Sequence, residues 1–186
     1  MSKSETNMAS EFWFFSQLHR LGYKSYITLG NTKSIDITLQ LSDETLLTFD
    51  VKGKASFNTG TYQYLPKIKK ENHYFVFIGL QIKREQNNFV TFCEEPQCYI
   101  VNSLDLELLA IDWISSDKKT SGYGFDQRIL PIIKKYNCED DIISKSEKRK
   151  VNNFKRDHHL DEINFTELKE KILTIMDFEN KYHNKK

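Results

Sequence analysis

The fold is indicated most strongly by two adjacent segments, SIDITLQL at residues 34–41 and LLTFDVKGK at residues 46–54. Both alternate apolar and polar side chains with the period of two that is typical of a half-buried β-strand. The four residues between them are polar, and a link of this length suits an antiparallel hairpin. We therefore expect the two segments to pair as neighbouring strands of a sheet.

Three charged side chains fall on one face of this predicted hairpin. Asp36 alternates against the apolar residues of the first segment, and Asp50 and Lys52 alternate against those of the second. Because side chains two positions apart lie on the same side of a strand, two carboxylates and an ammonium can converge there. Such a group can hold a hard cation and act on a phosphodiester.

The bulk composition limits the possible classes of protein. The chain has 186 residues, 39% of them hydrophobic and 13% aromatic, which suits one domain with a real core and room for a small appendage. The formal net charge is only +1, so any contact with a nucleic acid must come from local basic patches. We expect no membrane partner and a cytoplasmic location, because no secretory signal and no membrane-spanning run is present. The three cysteines lack the close spacing that is typical of a zinc site.

A carboxylate interrupts the apolar arc of the first predicted helix. That helix runs from about Ala9 to Leu21 and ends at Gly22, a typical C-cap. Glu11 falls within the arc, one turn before Phe15. A charge at this position requires a cation, a hydrogen-bond donor or water, which makes it a site candidate. The alternative is a rim residue of a frayed first turn, or a favourable charge at the helix N-terminus.

The rest of the sequence predicts further strands and helices around the hairpin. Strands are expected at 23–29, 74–80, 89–92 and 98–101, a turn at 30–33 and a solvated hairpin tip at 83–88. We expect a short helix or irregular segment at 62–70, a helix at 104–114 capped by Ser103, and a loop around Gly122 and Gly124. Later expectations are a helix at 127–136 kinked at Pro131, a charged loop or exposed helix at 139–161, and a last helix from Asn164 with a capping-box match at Glu167. This order indicates an α/β domain around a mixed sheet.

These residues resemble the PD-(D/E)XK nuclease superfamily, which includes restriction endonucleases and Holliday junction resolvases. The resemblance covers about residues 8–80. It implies a restriction endonuclease-like αβββαβ core, with a mixed central sheet flanked by helices and a C-terminal helical extension. It also implies DNA cleavage with Mg²⁺, for which Mn²⁺ is a possible substitute. We assign residues 1–102 to the nuclease-like core, and residues 103–186 to a helical, charged extension packed on it as one continuous domain.

The resemblance also assigns roles to single residues. By this likeness Asp36 and Asp50 match the metal-binding acidic positions, Lys52 the motif lysine and Glu11 an accessory glutamate that binds metal. Ile35 stands where the proline that names the superfamily would be. From the residues themselves, the backbone carbonyl of Val51 is a further candidate metal ligand. An ammonium at Lys52 can orient the attacking water and stabilise charge on the phosphate.

Basic residues outside this group are candidates for DNA contact. A segment with nearby tyrosines at 62 and 64 offers cations for phosphates and rings for stacking. The predicted DNA-binding residues are Lys54, Lys67, Lys69 and Lys70. A second run, residues 145–156, carries six cationic residues against Glu147. This run could grip a DNA backbone, although a solvated surface is the more frequent explanation for such runs.

These patterns favour a Mg²⁺-dependent DNA endonuclease with a restriction, defence or resolvase-like role. A homodimer is an additional expectation, because two symmetric sites can cut two strands. The alternative is a catalytically inactive DNA-binding or assembly module that has a nuclease-like fold. A third hypothesis is an interaction protein whose charged strand residues form ordinary ion pairs.

Overall fold

A computed structural model of the chain describes residues 2–28, 35–57, 62–84, 90–92, 94–109, 111–114, 121–136 and 144–186. The predicted turn at 30–33 and most of the predicted tip at 83–88 lie outside these residues. The side chains of Tyr62 and Tyr64 also lie outside the described part.

The described elements follow one another in this order along the chain. The first half contains α1 (Lys3–Arg20), β1 (Lys24–Ile27), β2 (Ile37–Gln40), β3 (Leu46–Lys54), β4 (Tyr62–Pro66), β5 (His73–Gly79), β6 (Ile82–Arg84), β7 (Val90–Phe92) and β8 (Gln97–Asn102). The second half contains a short 3-10 helix (Leu106–Leu108), β9 (Ile111–Ile114), β10 (Ser121–Asp126), α2 (Ile129–Lys135), α3 (Lys145–Asp157), α4 (Glu162–Lys171), β11 (Ile172–Leu173), α5 (Ile175–Tyr182) and a final 3-10 turn (His183–Lys185).

The elements divide into two compact units that are not consecutive halves of the chain. The first unit comprises residues 1–59, 69–103 and 173–186, and the second comprises residues 60–68 and 104–172. None of the helices among the described residues is long and apolar enough to cross a membrane.

The first unit is built on a mixed sheet with the strand order β1-β2-β3-β5-β8-β11. β3 and β5 are parallel, whereas β1–β2, β2–β3 and β5–β8 are antiparallel pairs. The predicted hairpin is confirmed, with Ile37 opposite Phe49 and Gln40 opposite Leu46. The α/β class and the mixed sheet are therefore confirmed.

One face of this sheet forms the core with α1 and α5. Its strands contribute the alternate apolar residues that the sequence indicated, among them Phe49 and Val51. The ring of Phe178, on α5, makes edge contacts with Phe49 and Tyr74 at centroid distances of 5.7 and 6.2 Å. Because Phe49 and Val51 alternate with Asp50 and Lys52, the charged side chains of β3 lie on the sheet face away from this core.

Helix α1 begins six residues earlier than the sequence indicated. Ser2 and Glu5 form a capping box, in which the Glu5 N–H donates to Ser2 Oγ at 3.2 Å and the Ser2 N–H donates to the Glu5 carboxylate at 2.5 Å. This box satisfies N–H groups that would otherwise lack partners at the helix start. At the other end Gly22 adopts a φ of +83°, as expected for a residue that ends a helix.

In sequence order, the element that follows β3 and precedes β5 is a strand. The resemblance implies a helix at this position, and the sequence suggested a helix or irregular segment. Residues 62–66 form β4, which pairs antiparallel with β10 of the second unit. Tyrosine favours strands, but the pairing partner is distant in sequence, so local periodicity did not indicate the strand. The specific αβββαβ core therefore does not follow from the described elements, and only the coarser mixed α/β architecture is established.

Three expectations for residues 103–186 are wrong. Ser103 does not cap a helix at 104–114, because its Oγ instead accepts from the Lys70 N–H and donates to the Lys70 carbonyl, at 2.9 and 2.8 Å. Gly122 and Gly124 lie in strand β10 rather than in a loop, flanking the buried Tyr123. The predicted last helix is two helices, of which α4 is capped by Asp161 and α5 by Thr174.

Two other predictions for residues 103–186 agree with the structure. The charged run forms an exposed helix, α3, capped by Ser144. The helix near 127–136 forms as α2. Its proline lies at the third helical position, where no internal hydrogen bond is lost, so the reason for expecting a kink at Pro131 does not apply.

Candidate active site

The carboxylate of Asp36 is fixed at the point where the β2–β3 ladder ends. Its backbone N–H donates to the Phe49 carbonyl at 2.8 Å, so the residue continues the antiparallel pairing by one step. Two residues further along β3, the Val51 N–H donates to Asp36 Oδ2 at 2.7 Å. The Asp36 carboxylate is thus the acceptor where a backbone carbonyl would accept if the ladder continued. The hairpin thus holds the Asp36 carboxylate against β3.

Asp50 is buried beside Lys52 on the same face of β3. Only 1% of the Asp50 side chain is exposed, compared with 27% of the Lys52 side chain. The Lys52 ammonium contacts Asp50 Oδ1, whereas Asp50 Oδ2 is buried and has no hydrogen-bond donor among the described residues. A buried carboxylate oxygen without a donor costs roughly 1–3 kcal/mol, so a bound cation or water at this atom would be stabilising.

The two aspartates lie close enough to affect each other's protonation. Burial raises the pKa of Asp36, and the adjacent Asp50 carboxylate raises this pKa further. The Val51 N–H and the Lys52 ammonium act in the opposite direction. Two carboxylates that share a site repel each other when both are ionised, and a divalent cation between them removes that repulsion.

Glu11 belongs to the same electrostatic group. Burial raises the pKa of Glu11, and the carboxylates of Asp36 and Asp50 raise it further, while Lys52 lowers it. Glu11 lies neither in a frayed first turn nor at the helix N-terminus, because α1 is continuous from residue 3 to residue 20. The structure therefore brings together Asp36, Asp50 and Lys52 at β3, and the pKa of Glu11, on α1, responds to the charges of this group.

Gly53 explains why α1 can approach this end of β3. A Cβ atom at Gly53 would lie 2.1 Å from Ser10 Oγ and 2.9 Å from the Thr6 carbonyl oxygen. Ser10 is fully buried, and its hydroxyl donates to the same Thr6 carbonyl at 2.9 Å. The absence of a side chain at Gly53 lets the helix backbone pack directly on the strand, and Glu11 follows Ser10 in this contacting part of α1.

A residue that the sequence did not indicate, His73, lies at the edge of this group. It opens β5 directly opposite Thr48, and its Nδ1 lies 2.9 Å from Thr48 Oγ1. Its Nε2 is buried and has no hydrogen-bond partner among the described residues. Burial, with help from Lys70 and Lys52, lowers the pKa of His73 to about 4, so the ring is neutral at pH 7. A single histidine before an apolar strand carries no sequence signal, and only the strand register reveals its position.

The predicted DNA-binding lysines lie in different surroundings. Lys54 is the last residue of β3 and is partly exposed, and Lys69 and Lys70 are exposed residues before β5. Lys67 belongs to the second unit, where its ammonium lies 5.5 Å from the centre of the Tyr123 ring. Their contact with DNA stays a prediction.

The residues of the site fit a divalent cation held by few protein ligands. No cluster of three or more His, Cys, Asp or Glu side chains in the described part of the chain is arranged to hold a metal ion. Mg²⁺ does not require such a cluster, because it typically binds one or two carboxylates and keeps several waters or phosphate oxygens. Asp36 and Asp50 would supply those two carboxylates, and Oδ2 of Asp50 has no donor among the described residues. At Val51 the described contact is through its N–H, and the role of its carbonyl stays a prediction.

No family model, curated protein or solved structure matches this chain. The likeness to the PD-(D/E)XK superfamily therefore rests on the residues quoted from the sequence. The geometry of those residues, rather than kinship, has to support any function.

Proposed function

We propose that this chain is a Mg²⁺-dependent DNA endonuclease. The observation that supports it best is the grouping of Asp36, Asp50 and Lys52 at β3, where one buried Asp50 oxygen has no donor among the described residues. The pKa of Glu11 responds to the charges of the same group. A purely structural ion pair would need only Asp50 and Lys52. The additional carboxylates raise the electrostatic cost of the site, and such cost is typical of functional positions.

Each residue has a role that follows from its surroundings. Asp36 and Asp50 would hold Mg²⁺, with Asp36 kept in place by the Val51 N–H. When bound, Mg²⁺ supplies charge neutralisation at the scissile phosphate and polarises the attacking water. Lys52 is the more exposed partner of its ion pair, so its ammonium can turn towards a phosphate oxygen and stabilise the charge that develops there.

Glu11 and His73 border the reacting groups. A carboxylate with a raised pKa at Glu11 can accept a proton from water, or bind a second cation, once substrate covers the site. His73 is neutral at pH 7 and adds no repulsion towards the cation. Cleavage of both strands of a duplex would be served by a homodimer with two such sites.

The test is a cleavage assay on plasmid, linear and four-way-junction DNA with Mg²⁺, Mn²⁺ or EDTA. Asp50→Asn and Lys52→Ala should each reduce cleavage by orders of magnitude while the protein stays folded. Asp43→Asn and Lys24→Ala are matched controls, because both residues are exposed in the same unit. Equal cleavage by wild type and both site variants, or no cleavage under any condition, would contradict the proposal.

The inactive DNA-binding module is kept as the second candidate, because the direct contact between Lys52 and Asp50 is also what a structural ion pair would form. This candidate predicts DNA binding without cleavage and little change in affinity for Lys52→Ala. The same protein preparations distinguish the two functions when binding is measured in EDTA and cleavage in Mg²⁺.

A further inference from the structure

Helix α3 of the second unit presents a basic stripe to solvent. Lys145, Arg149, Asn152 and Arg156 follow the spacing i, i+4, i+7 and i+11, and all four are exposed. At 3.6 residues per turn these positions fall within an arc of about 60°, and the stripe is roughly 16 Å long. We call these four residues the α3 stripe.

The opposite side of α3 explains why these cations are turned outward. Val151 and Phe154 are buried in the second unit. Lys155 is buried as well, with its ammonium 2.6 Å from Glu162 Oε1 and 4.3 Å from the centre of the Phe165 ring. Lys155 therefore has a structural role, and the sequence run of six cations overstates the charge that a partner can reach.

The acidic residues of α3 do not neutralise the centre of the stripe. Glu147 lies roughly opposite the stripe on the helical wheel, and its carboxylate accepts from the Ser144 N–H at 2.8 Å in the capping box. Hydrogen bonds from Ser144 hold the pKa of Glu147 below its ordinary value, so it stays ionised at the helix start. Asp157 accepts from Arg156 at 3.0 Å, but both side chains are mostly exposed, and water weakens such a pair.

We propose that the α3 stripe binds the phosphate backbone of DNA. This inference rests on the proposed function, for which it names a second surface that would hold the substrate. Phosphates recur every 3.4 Å along the axis of each strand, so a stripe of this length faces several of them. Asparagine between the cations can donate to a phosphate oxygen. An anionic membrane is the weaker partner, since the apolar residues of α3 are buried and give the helix no exposed anchor.

The experiment measures the affinity of the full chain for a 30-base-pair duplex in EDTA across a range of KCl concentrations. Neutralising two phosphate contacts with Lys145→Gln/Arg149→Gln should lower the slope of log K against log salt by about 1.8, and the affinity at least about tenfold near 50 mM salt. The matched control is Arg20→Gln/Lys24→Gln, which removes the same two charges from exposed positions of the first unit. Asn152→Glu is a second variant, expected to weaken binding by repulsion without removing a cation.

Each outcome decides the proposal. A fall in slope confined to the stripe variants supports it. Equal slopes for the stripe and control variants, no DNA binding by wild type at 25 mM salt, or stripe-dependent binding only to phosphatidylserine vesicles would overturn it. Cleavage by wild type on the same duplex is scored separately. Asp50-dependent cleavage with equal slopes would refute the stripe alone, whereas a stripe-dependent slope without any cleavage would refute the endonuclease alone.

Discussion

Replacing Gly53 by alanine tests whether direct contact between α1 and β3 builds the candidate site. The new methyl group would lie 2.1 Å from Ser10 Oγ, 2.7 Å from Ser10 Cβ and 2.9 Å from the Thr6 carbonyl oxygen. The first two atoms belong to a short side chain and the third belongs to the helix backbone, so no rotamer change relieves all three. The helix must therefore move away from the strand.

Overpacking of this kind costs about 1–3 kcal/mol. For a chain of this length, a loss of 2 kcal/mol corresponds to a decrease in melting temperature of roughly 4–8 °C. A displacement of α1 by an ångström also carries Glu11 away from the aspartates, and a misplacement of that size can reduce cleavage by about 100-fold. Melting is followed by circular dichroism, and cleavage on plasmid DNA with Mg²⁺.

Ser10→Gly in the Gly53→Ala background provides the internal control. It removes both Ser10 atoms that the methyl group meets, so the double variant should be more stable than the sum of the two single effects by at least about 0.5 kcal/mol. A melting temperature for Gly53→Ala within 1 °C of wild type, or strictly additive effects of the two substitutions, would show that α1 does not pack on Gly53.

Three further predictions concern buried charges. Asp36→Asn should abolish cleavage yet raise the free energy of unfolding in EDTA by about 1 kcal/mol, because it removes the repulsion with Asp50. For wild type, 10 mM Mg²⁺ should raise the melting temperature, by an amount worth about 1.4 kcal/mol for a Kd near 1 mM, and this rise should disappear in Asp36→Asn. The pKa of His73 is about 4 in the folded state and 6.5 in the unfolded chain. The contribution of the neutral His73 ring to the free energy of unfolding is therefore complete above pH 6.5 and is lost as the pH falls towards 4. Urea titrations at pH 7.5 and 4.5 should therefore show a smaller acid destabilisation, by up to about 3 kcal/mol, for His73→Gln than for wild type. Lys155→Ala should cost about 2–3 kcal/mol in urea unfolding, and Lys155→Met less, because methionine keeps an apolar stem against the Phe165 ring; equal costs would contradict this reasoning.

The parts of the fold that depend on local patterning could be predicted from the sequence. Alternation gave the faces of the β2–β3 hairpin and therefore placed Asp36, Asp50 and Lys52 together. Gly22 marked the end of α1. The early start of α1 also had a local signal, the Ser2–Glu5 capping box, but the polar residues after it show no apolar periodicity.

The parts that depend on distant pairing could not be predicted. Residues 62–66 form a strand because β10, about 60 positions later, provides a ladder for it. Gly122 and Gly124 are typical loop residues, yet they occur in the central strand of a three-stranded sheet. Ser103 resembles a helix cap, but its hydroxyl is satisfied by the backbone of Lys70. In each case a non-local partner decides between structures that the local sequence leaves open.

The return of α5 to the first unit affects how this protein can fold during synthesis. Tyr74 and Tyr182 are 108 positions apart, and their hydroxyl groups are 2.6 Å from each other in the core. A nascent chain leaves the ribosome from its N-terminus at about 5–20 residues per second, so Phe49 and Tyr74 emerge well before Phe178 can cover them. The aromatic rings of the central sheet therefore stay uncovered until α5 has been synthesised. Chaperone binding to the nascent chain should therefore persist until the last turns of α5 have left the exit tunnel.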